Sequence, residues 1–230
     1  MSSLATPILC SVLCAGVLIP QVGAADKSES ERTGEGVRLT MQSLPLDFTQ
    51  TTSVTSGDSN TLFNSSGEND SGGQIGLWSI SGFNPQRKSH DIYGLGVIAA
   101  RVWQHTSQGV IENRLYGLGF EMAGVYSLNE GFSLEFGGML AGGWADMRLP
   151  ETVNGVTTST NHSNAGVFGE VELRTRAVFR PAPGIDLSLQ AGYMGLHQWI
   201  EFNNTATNTQ TVFISRAKGF TVGCGIGFVY

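Results

Sequence analysis

The sequence has few charged residues and few features of a nucleic-acid-binding or metal-binding protein. Asp, Glu, Lys and Arg make up 14% of its 230 residues, against about 25% in an average soluble domain. The net charge of -6 argues against nucleic acid as a partner, because such binding needs clustered positive charge. The histidines His90, His105 and His197 have no Cys or Asp at metal-ligand spacing. We therefore expect no metal site and no cofactor.

Long apolar runs are also missing after the first 24 residues. A membrane-spanning helix needs about 18 or more apolar residues. The best uncharged stretch, 187–200, is interrupted by Ser, Gln, Gly and His. A membrane protein without such helices can cross the bilayer only as a closed β-barrel.

The N-terminus has the pattern of an export signal, with an apolar segment at 8–19 followed by small residues at 22–25. A short apolar segment before a small-residue site favours cleavage over an uncleaved anchor. We predict a signal peptide at 1–24, a flexible periplasmic lead at 25–36 and one domain at 37–230. Cleavage would remove two of the three cysteines. Cys224 would remain, which excludes an internal disulfide.

Glycine is abundant, at 31 residues, and it falls inside segments in which every second residue is bulky and apolar. Such a period of two is typical of β-strands. The segments number eight, an even number as bacterial single-chain barrels have. The predicted fold is an all-β, antiparallel, up-and-down transmembrane β-barrel of eight strands. The strands are expected near 37–48, 74–83, 91–104, 114–128, 131–147, 164–180, 184–202 and 211–230.

The connections between these strands alternate in length. Those at 49–73, 148–163 and 203–210 are long and rich in Ser, Thr, Asn and Gly, whereas 84–90, 129–130 and 181–183 are shorter. Long outer loops and short periplasmic turns are the usual asymmetry of bacterial barrels. The first strand is the weakest part of the prediction, because Pro45 would remove a hydrogen bond from a closed sheet. The second strand is ambiguous, because Leu77 and Trp78 take opposite faces.

Aromatic residues on the apolar face recur along four strands at separations of ten to twelve positions. Ten residues at about 3.3 Å each and a tilt near 40° rise roughly 25 Å, which is the height of the apolar band between two aromatic girdles. We therefore predict two belts. The periplasmic belt comprises Tyr93, Tyr126, Phe132, Phe179, Phe228 and Tyr230, and the outer belt comprises Trp103, Tyr116, Trp144, Tyr193 or Trp199, and Phe220.

The last residues, GFTVGCGIGFVY, resemble the C-terminal strand of bacterial outer-membrane proteins, although Phe is the usual terminal residue there. The resemblance implies recognition by the barrel insertion machinery and contact with outer-membrane lipid. The segment 169–196 is similar to porin-like barrel proteins of planctomycete type. The alternative is a soluble lipocalin-type barrel, but its exterior would be polar, and a glycine-rich second face makes a poor soluble exterior.

Charged residues divide between the two predicted faces. Lumen positions carry carboxylates and arginines, which we expect to form a paired structural network, since an eight-stranded lumen has room only for side chains. A second group lies on the outer face near the outer belt, where we predict a basic collar for lipid phosphates or simple snorkelling. The lumen group is Glu121, Glu135, Glu170, Glu172, Arg174, Arg176 and Asp186. The collar group is Arg101, Arg114, Arg148, Arg216 and Lys218.

One motif suggests catalysis. His162 and Ser163 lie in HSNAG, which is similar to the His-x-Ser-Asn-Ala-Gly stretch of outer-membrane lipid A deacylases. In that family His and Ser are two apart and share a face, whereas here they are adjacent and would take opposite faces of a strand. We therefore predict a non-enzymatic outer-membrane protein with a structural or surface-interaction role and an unknown extracellular ligand. The alternatives are a lipid A-modifying esterase and a small porin.

Overall fold

The computed structural model describes residues 34–45, 47–68, 71–84, 87–106, 109–153, 156–163, 165–204 and 208–230. The predicted signal peptide and most of the predicted lead lie outside these residues. Within the described residues, no helix is long and apolar enough to cross a membrane.

The described chain consists of β-strands, as the period of two predicts. There are eleven strands, three more than predicted. The first begins at Gly34, so the last residues of the predicted lead belong to the sheet. The strands are β1 Gly34–Ser43, β2 Asp47–Ser56, β3 Ser59–Glu68, β4 Ser71–Phe83, β5 Ser89–Thr106, β6 Gly109–Asn129, β7 Phe132–Val153, β8 Val156–His162, β9 Ala165–Ala182, β10 Ile185–Asn204 and β11 Thr209–Val229.

Eight of these strands form a closed antiparallel ring, which confirms the predicted barrel. Their order is β1-β4-β5-β6-β7-β9-β10-β11, and β11 pairs with β1 to close the ring. The two chain ends of the domain meet at this seam. The amide of Tyr230 donates to the carbonyl of Glu35 at 2.9 Å, and the amide of Glu35 donates back at 3.2 Å. The C-terminal aromatic residue is therefore part of the closure.

The first strand exists, and Pro45 lies outside its ladder. The chain leaves the sheet after Ser43, and Leu44 and Pro45 lie outside the strands before β2 begins at Asp47. Strand β11 pairs with β1 along 223–229 and with β2 along 209–217. Proline cannot donate a hydrogen bond to a neighbouring strand. Because Pro45 lies between β1 and β2, its missing donor removes no hydrogen bond from the sheet.

The prediction of long loops is wrong for most of the residues concerned. In place of a loop at 49–73, β2 and β3 form a hairpin. Part of 148–163 pairs as β7 with β8, and β10 and β11 pair as far as Asn204 and Thr209. The polar residues of these segments are compatible with either a loop or an exposed strand. Pairing with a neighbouring strand makes them part of the sheet. We call this end of the barrel the hairpin end, and the end with the connections that follow Phe83, Asn129 and Ala182 the turn end.

The polarity of the barrel is inverted relative to a soluble protein. Large apolar side chains face outward, such as Leu173 at 71% exposure and Phe220 at 83%, whereas Arg176 and Glu172 face inward at 2% and 1%. The ambiguous parity of β4 is resolved by Trp78, which points into the lumen and is 1% exposed. This arrangement is that of a barrel surrounded by lipid, with a lumen filled by side chains.

Candidate functional site

The lumen near the turn end contains a network of ion pairs between facing strands. Both terminal nitrogens of Arg38 donate to Glu135, at 2.8 and 2.9 Å. Arg176 donates to Glu135 at 2.6 Å and to Glu121 at 3.3 Å, and Arg174 also contacts Glu121. All five side chains are at least nine-tenths buried. Buried charges of this kind stabilise a fold only when they are paired and hydrogen-bonded, as these are.

A second layer of the network lies closer to the middle of the barrel and is built largely from amides. Gln42 donates to Gln74 at 2.6 Å and to Glu172 at 3.3 Å. Gln74 donates to both carboxylate oxygens of Glu170, at 3.0 and 3.2 Å. Thr221 donates to Glu172 at 2.6 Å. Arg174 of the first layer lies 3.5 Å from Glu172, so that carboxylate is shared between an arginine and neutral donors, whereas Glu170 is hydrogen-bonded by Gln74.

The turn end of the lumen is closed by Arg180 and its neighbours. The Arg180 guanidinium lies 3.1 Å from Asp186 and 4.6 Å above the ring of Phe83. His90 packs edge-on against Phe83, with the ring centroids 5.6 Å apart. Burial and the nearby Arg180 charge lower the pKa of His90. This histidine, just outside the spanning part of β5, is therefore held neutral at pH 7.

Trp78 fills the centre of the lumen. Its indole nitrogen donates to Thr40 at 3.0 Å, and the Arg174 guanidinium lies 5.5 Å from its ring. A methyl group added at Gly96 or Gly119 would come within 2.7 Å of this indole. The glycines on β5 and β6 thus provide the space that the tryptophan occupies.

All seven predicted lumen charges face inward and are buried. Sequence reasoning missed Arg38, Trp78 and the buried glutamines. The signal for Arg38 was present, because Arg38, Thr40 and Gln42 alternate with apolar residues in β1. Doubt about Pro45 left that strand without assigned faces.

The predicted collar residues separate into two patches at the hairpin end. Around Glu112 on β6 lie Arg114 at 2.9 Å, Arg101 at 3.7 Å and Arg148 at 3.8 Å. Arg148 also contacts Asp146 at 3.3 Å. The hydrogen bond from Arg114 lowers the pKa of Glu112, which lies beyond the spanning part of its strand. Acidic residues therefore offset part of the positive charge of this patch.

The second patch consists of Arg216 and Lys218 on β11, both exposed on the outer face. Strands β1 and β4 separate it from the first patch on one side, and β9 and β10 separate it on the other. Below it, Phe220 packs edge-on against Tyr193 with centroids 5.4 Å apart. A positive charge above an aromatic pair is a suitable geometry for a lipid phosphate at the interface.

The aromatic residues predicted for the two belts lie on the outer face. Cross-strand neighbours bring several of them to one level, with Tyr116 opposite Trp144, Tyr193 opposite Phe220, and Phe132 opposite Phe179. The most exposed are Phe220, Tyr230 and Trp144, at 83%, 76% and 70%. The others are Tyr93, Trp103, Tyr126, Trp199 and Phe228, which are exposed or half-buried.

The catalytic candidates lie at the end of β8. Ser163 donates to Asp146 at 3.3 Å and accepts from the amide of Met147 at 3.0 Å. The carboxylate at Asp146 was not expected from the sequence, because it comes from the neighbouring strand. The side chain of His162 lies outside the described part of the structure. The serine hydroxyl thus has structural partners of its own.

Three solved bacterial proteins are similar to this chain in structure. The attachment invasion locus protein Ail of Yersinia pestis matches over 86% of this chain and 99% of its own, with 13% identity and a TM-score of 0.35. Neisserial surface protein A matches over 83% and 96%, at 14% and 0.37. The outer membrane protease OmpT of Escherichia coli matches over 90% and 99%, at 10% and 0.33. Neither a protein-family model nor a curated protein matches.

These identities and TM-scores are too low to carry an argument about function. The class of fold follows from the molecule itself, since a closed ring of eight antiparallel strands has an apolar exterior and a charged, filled interior. The chain is an eight-stranded β-barrel of the outer-membrane type.

Proposed function

We propose that this protein is a non-enzymatic outer-membrane β-barrel that acts at the cell surface through its hairpin end. The observation that carries the proposal is the length of the strands beyond the outer belt. Strand β7 continues from Trp144 to Val153, which is about 30 Å along the strand and roughly 20 Å or more in height. A membrane anchor alone would not need a sheet that projects so far from the bilayer.

The hairpin of β2 and β3 is the part of this projection best suited to a partner. Its residues are mostly Ser, Thr and Asn, yet Leu62 and Phe63 are 66% and 56% exposed. Strand β3 ends the strand order, so one of its edges has no partner strand among the described residues. Free backbone groups on an edge strand can pair with an added strand. We infer that the partner is an extended segment of another polypeptide.

The same proposal assigns the remaining partners and the compartment. The signal-like N-terminus supports export into a two-membrane envelope, and the seam at Tyr230 supports recognition of the last strand by the insertion machinery. The apolar exterior supports direct contact with outer-membrane lipid. The hairpin end then faces the medium, and the turn end faces the periplasm.

Orientation can be tested by labelling intact cells with a membrane-impermeant maleimide. In a Cys224→Ser background, one variant carries Thr61→Cys in the β2–β3 hairpin and a matched variant carries Glu130→Cys in a turn-end connection. We expect label only on the first variant. Label only on the second would invert the orientation, and a soluble, unlabelled protein would refute the membrane location.

Strand addition can be tested with a synthetic peptide of the β2 sequence DFTQTTSVTS as the probe, since this sequence already pairs with β3 in the structure. We expect saturable binding to the purified barrel and loss of binding when alternate peptide amides are N-methylated. Replacing residues 45–71 by Asn-Gly should abolish binding without unfolding the barrel, because the Leu44 amide already donates to the Gly72 carbonyl at 3.1 Å. Equal binding of both peptides would refute strand addition.

The two alternative functions, a lipid A-modifying esterase and a small porin, predict results that differ from those expected for a non-enzymatic surface protein. An esterase would lose activity on lipid A in a Ser163→Ala variant, whereas we expect lipid acylation in producing cells to be the same with parent and variant. A porin would conduct ions in a planar bilayer. We expect no single-channel steps, because Trp78 and the Arg38–Glu135 network occupy the lumen.

A further inference from the structure

The hairpin end of the lumen contains a cavity of about 180 Å³. Its walls come from inward residues of the ring together with the β2–β3 hairpin, and no lining residue carries an ionisable side chain. Most of the lining is apolar, including Phe48, Ile111, Met147 and Phe213. Toward the middle of the barrel Leu115 and Met194, both fully buried, fill the lumen. The cavity is therefore reached from the hairpin end.

Two side-chain oxygens of this cavity have no hydrogen-bond partner among the described residues. They are Oε1 of Gln198 and Oδ1 of Asn113, from opposite sides of the ring. Gln198 is 4% exposed. A buried acceptor without a donor costs free energy, so native proteins satisfy such groups with water or with a ligand. Both oxygens are acceptors, so a group that satisfies them must be a hydrogen-bond donor.

We propose that this cavity binds a small, uncharged, mainly apolar molecule that donates a hydrogen bond to Gln198 or Asn113. An apolar cavity of about 150 Å³ holds benzene, so about 180 Å³ suits a ligand between one and two aromatic rings in size. The uncharged walls disfavour ions, since an unpaired charge is costly in such a site. The ligand is held at the hairpin end and does not traverse the barrel.

The site can be tested with indole and 1-methylindole, which differ in a single N–H donor. The full mature chain, methyl-labelled at methionine and inserted in lipid nanodiscs, reports binding through two methyl groups. Met147 lines the cavity and is 3% exposed, whereas Met122 faces lipid and is 53% exposed. We expect indole to shift Met147 saturably and Met122 only through partition into lipid. We expect 1-methylindole to bind at least about tenfold more weakly, as the loss of one buried hydrogen bond implies.

Variants separate this site from general apolar binding. The double variant Gln198→Leu/Asn113→Leu, which lacks both acceptors, should bind indole and 1-methylindole equally, while the exposed neighbour His197→Leu should keep the preference for indole. If the double variant does not fold, at least one of the single variants Gln198→Leu and Asn113→Leu should show a reduced preference for indole. No saturable shift of Met147 would show a cavity that holds only water and would overturn the proposal. An unchanged preference for indole in the double variant, or in both single variants, would also overturn it. Neither result bears on the surface role, which rests on the β2–β3 hairpin.

Discussion

Replacing Arg38 by methionine should destabilise the barrel more than any single change on its outer charged face. Arg38 joins β1, at the closing seam, to Glu135 on the far wall through hydrogen bonds of 2.8 and 2.9 Å. Its side chain is 4% exposed. The variant removes the donor but leaves the carboxylate buried, so the cost includes an uncompensated charge.

The structure limits the size of this effect. Removing one partner of a buried ion pair costs about 3–5 kcal/mol. Glu135 keeps its hydrogen bond from Arg176 at 2.6 Å, so we expect about 3 kcal/mol, the lower end of that range. Arg101→Met is a matched control, since Arg101 is 51% exposed and lies 3.7 Å from Glu112. An exposed pair is worth about 1 kcal/mol or less.

The measurement is urea unfolding of parent and variants in lipid vesicles, followed by tryptophan fluorescence and checked by heat-modifiability on a gel. Adding Glu135→Met to Arg38→Met should cost less than the sum of the two single changes, by about 0.5–3 kcal/mol, because the two groups interact directly. If Arg38→Met is no more destabilising than Arg101→Met, the buried ion pairs of the lumen do not stabilise the fold more than an exposed pair does.

Further predictions concern the seam, the lumen and the outer face. Deleting Phe228–Tyr230 should abolish assembly but not export, which fractionation of producing cells would show; normal surface levels would contradict it. Trp78→Ala should cost about 3–5 kcal/mol in urea unfolding, because it empties the lumen centre. Acidification from pH 7 to 5 should destabilise the parent more than the His90→Phe variant. The pKa of His90 is lowered in the folded barrel, so below pH 6.5, its ordinary pKa, the unfolded chain binds more protons than the folded chain. Equal losses of stability in parent and variant would show that His90 is not the group responsible. Replacing Arg216 and Lys218 by Gln should weaken retention of anionic lipid in native mass spectrometry. Unchanged lipid binding would show that these side chains only snorkel to the interface and bind no specific lipid.

The eight spanning strands could be predicted from the sequence because burial and lipid impose a period of two on every strand that crosses the bilayer. The same period assigned the lumen charges to the correct face of their strands. Arg174 and Arg176, for example, share a parity with Glu170 and Glu172 in a strand that is otherwise apolar at alternate positions. The pairing partners could not be predicted, because they depend on which strands lie opposite one another across the lumen.

The projecting hairpins could not be predicted by the same reasoning. In β2, Gln50 to Thr55 are all half-buried and show no alternation in burial. These residues form a strand because they pair with β11 and β3. The alternation of residue types along the sequence does not show which strands will pair. Contacts such as Asp146 with Ser163 were missed for the same reason, because they join residues of different strands.

The filled lumen connects the fold to the proposed roles. Glycines at 96 and 119 leave space on one wall, and Trp78 occupies that space from another. The lumen of this barrel is blocked at its centre by Trp78, and its cavity lies at the hairpin end. The unpaired acceptor of Gln198 lies in this cavity, where a ligand or water can satisfy it. The arrangement thus favours binding at the surface over transport, and a Trp78→Ala variant that conducts ions while the parent does not would place the barrier at this side chain.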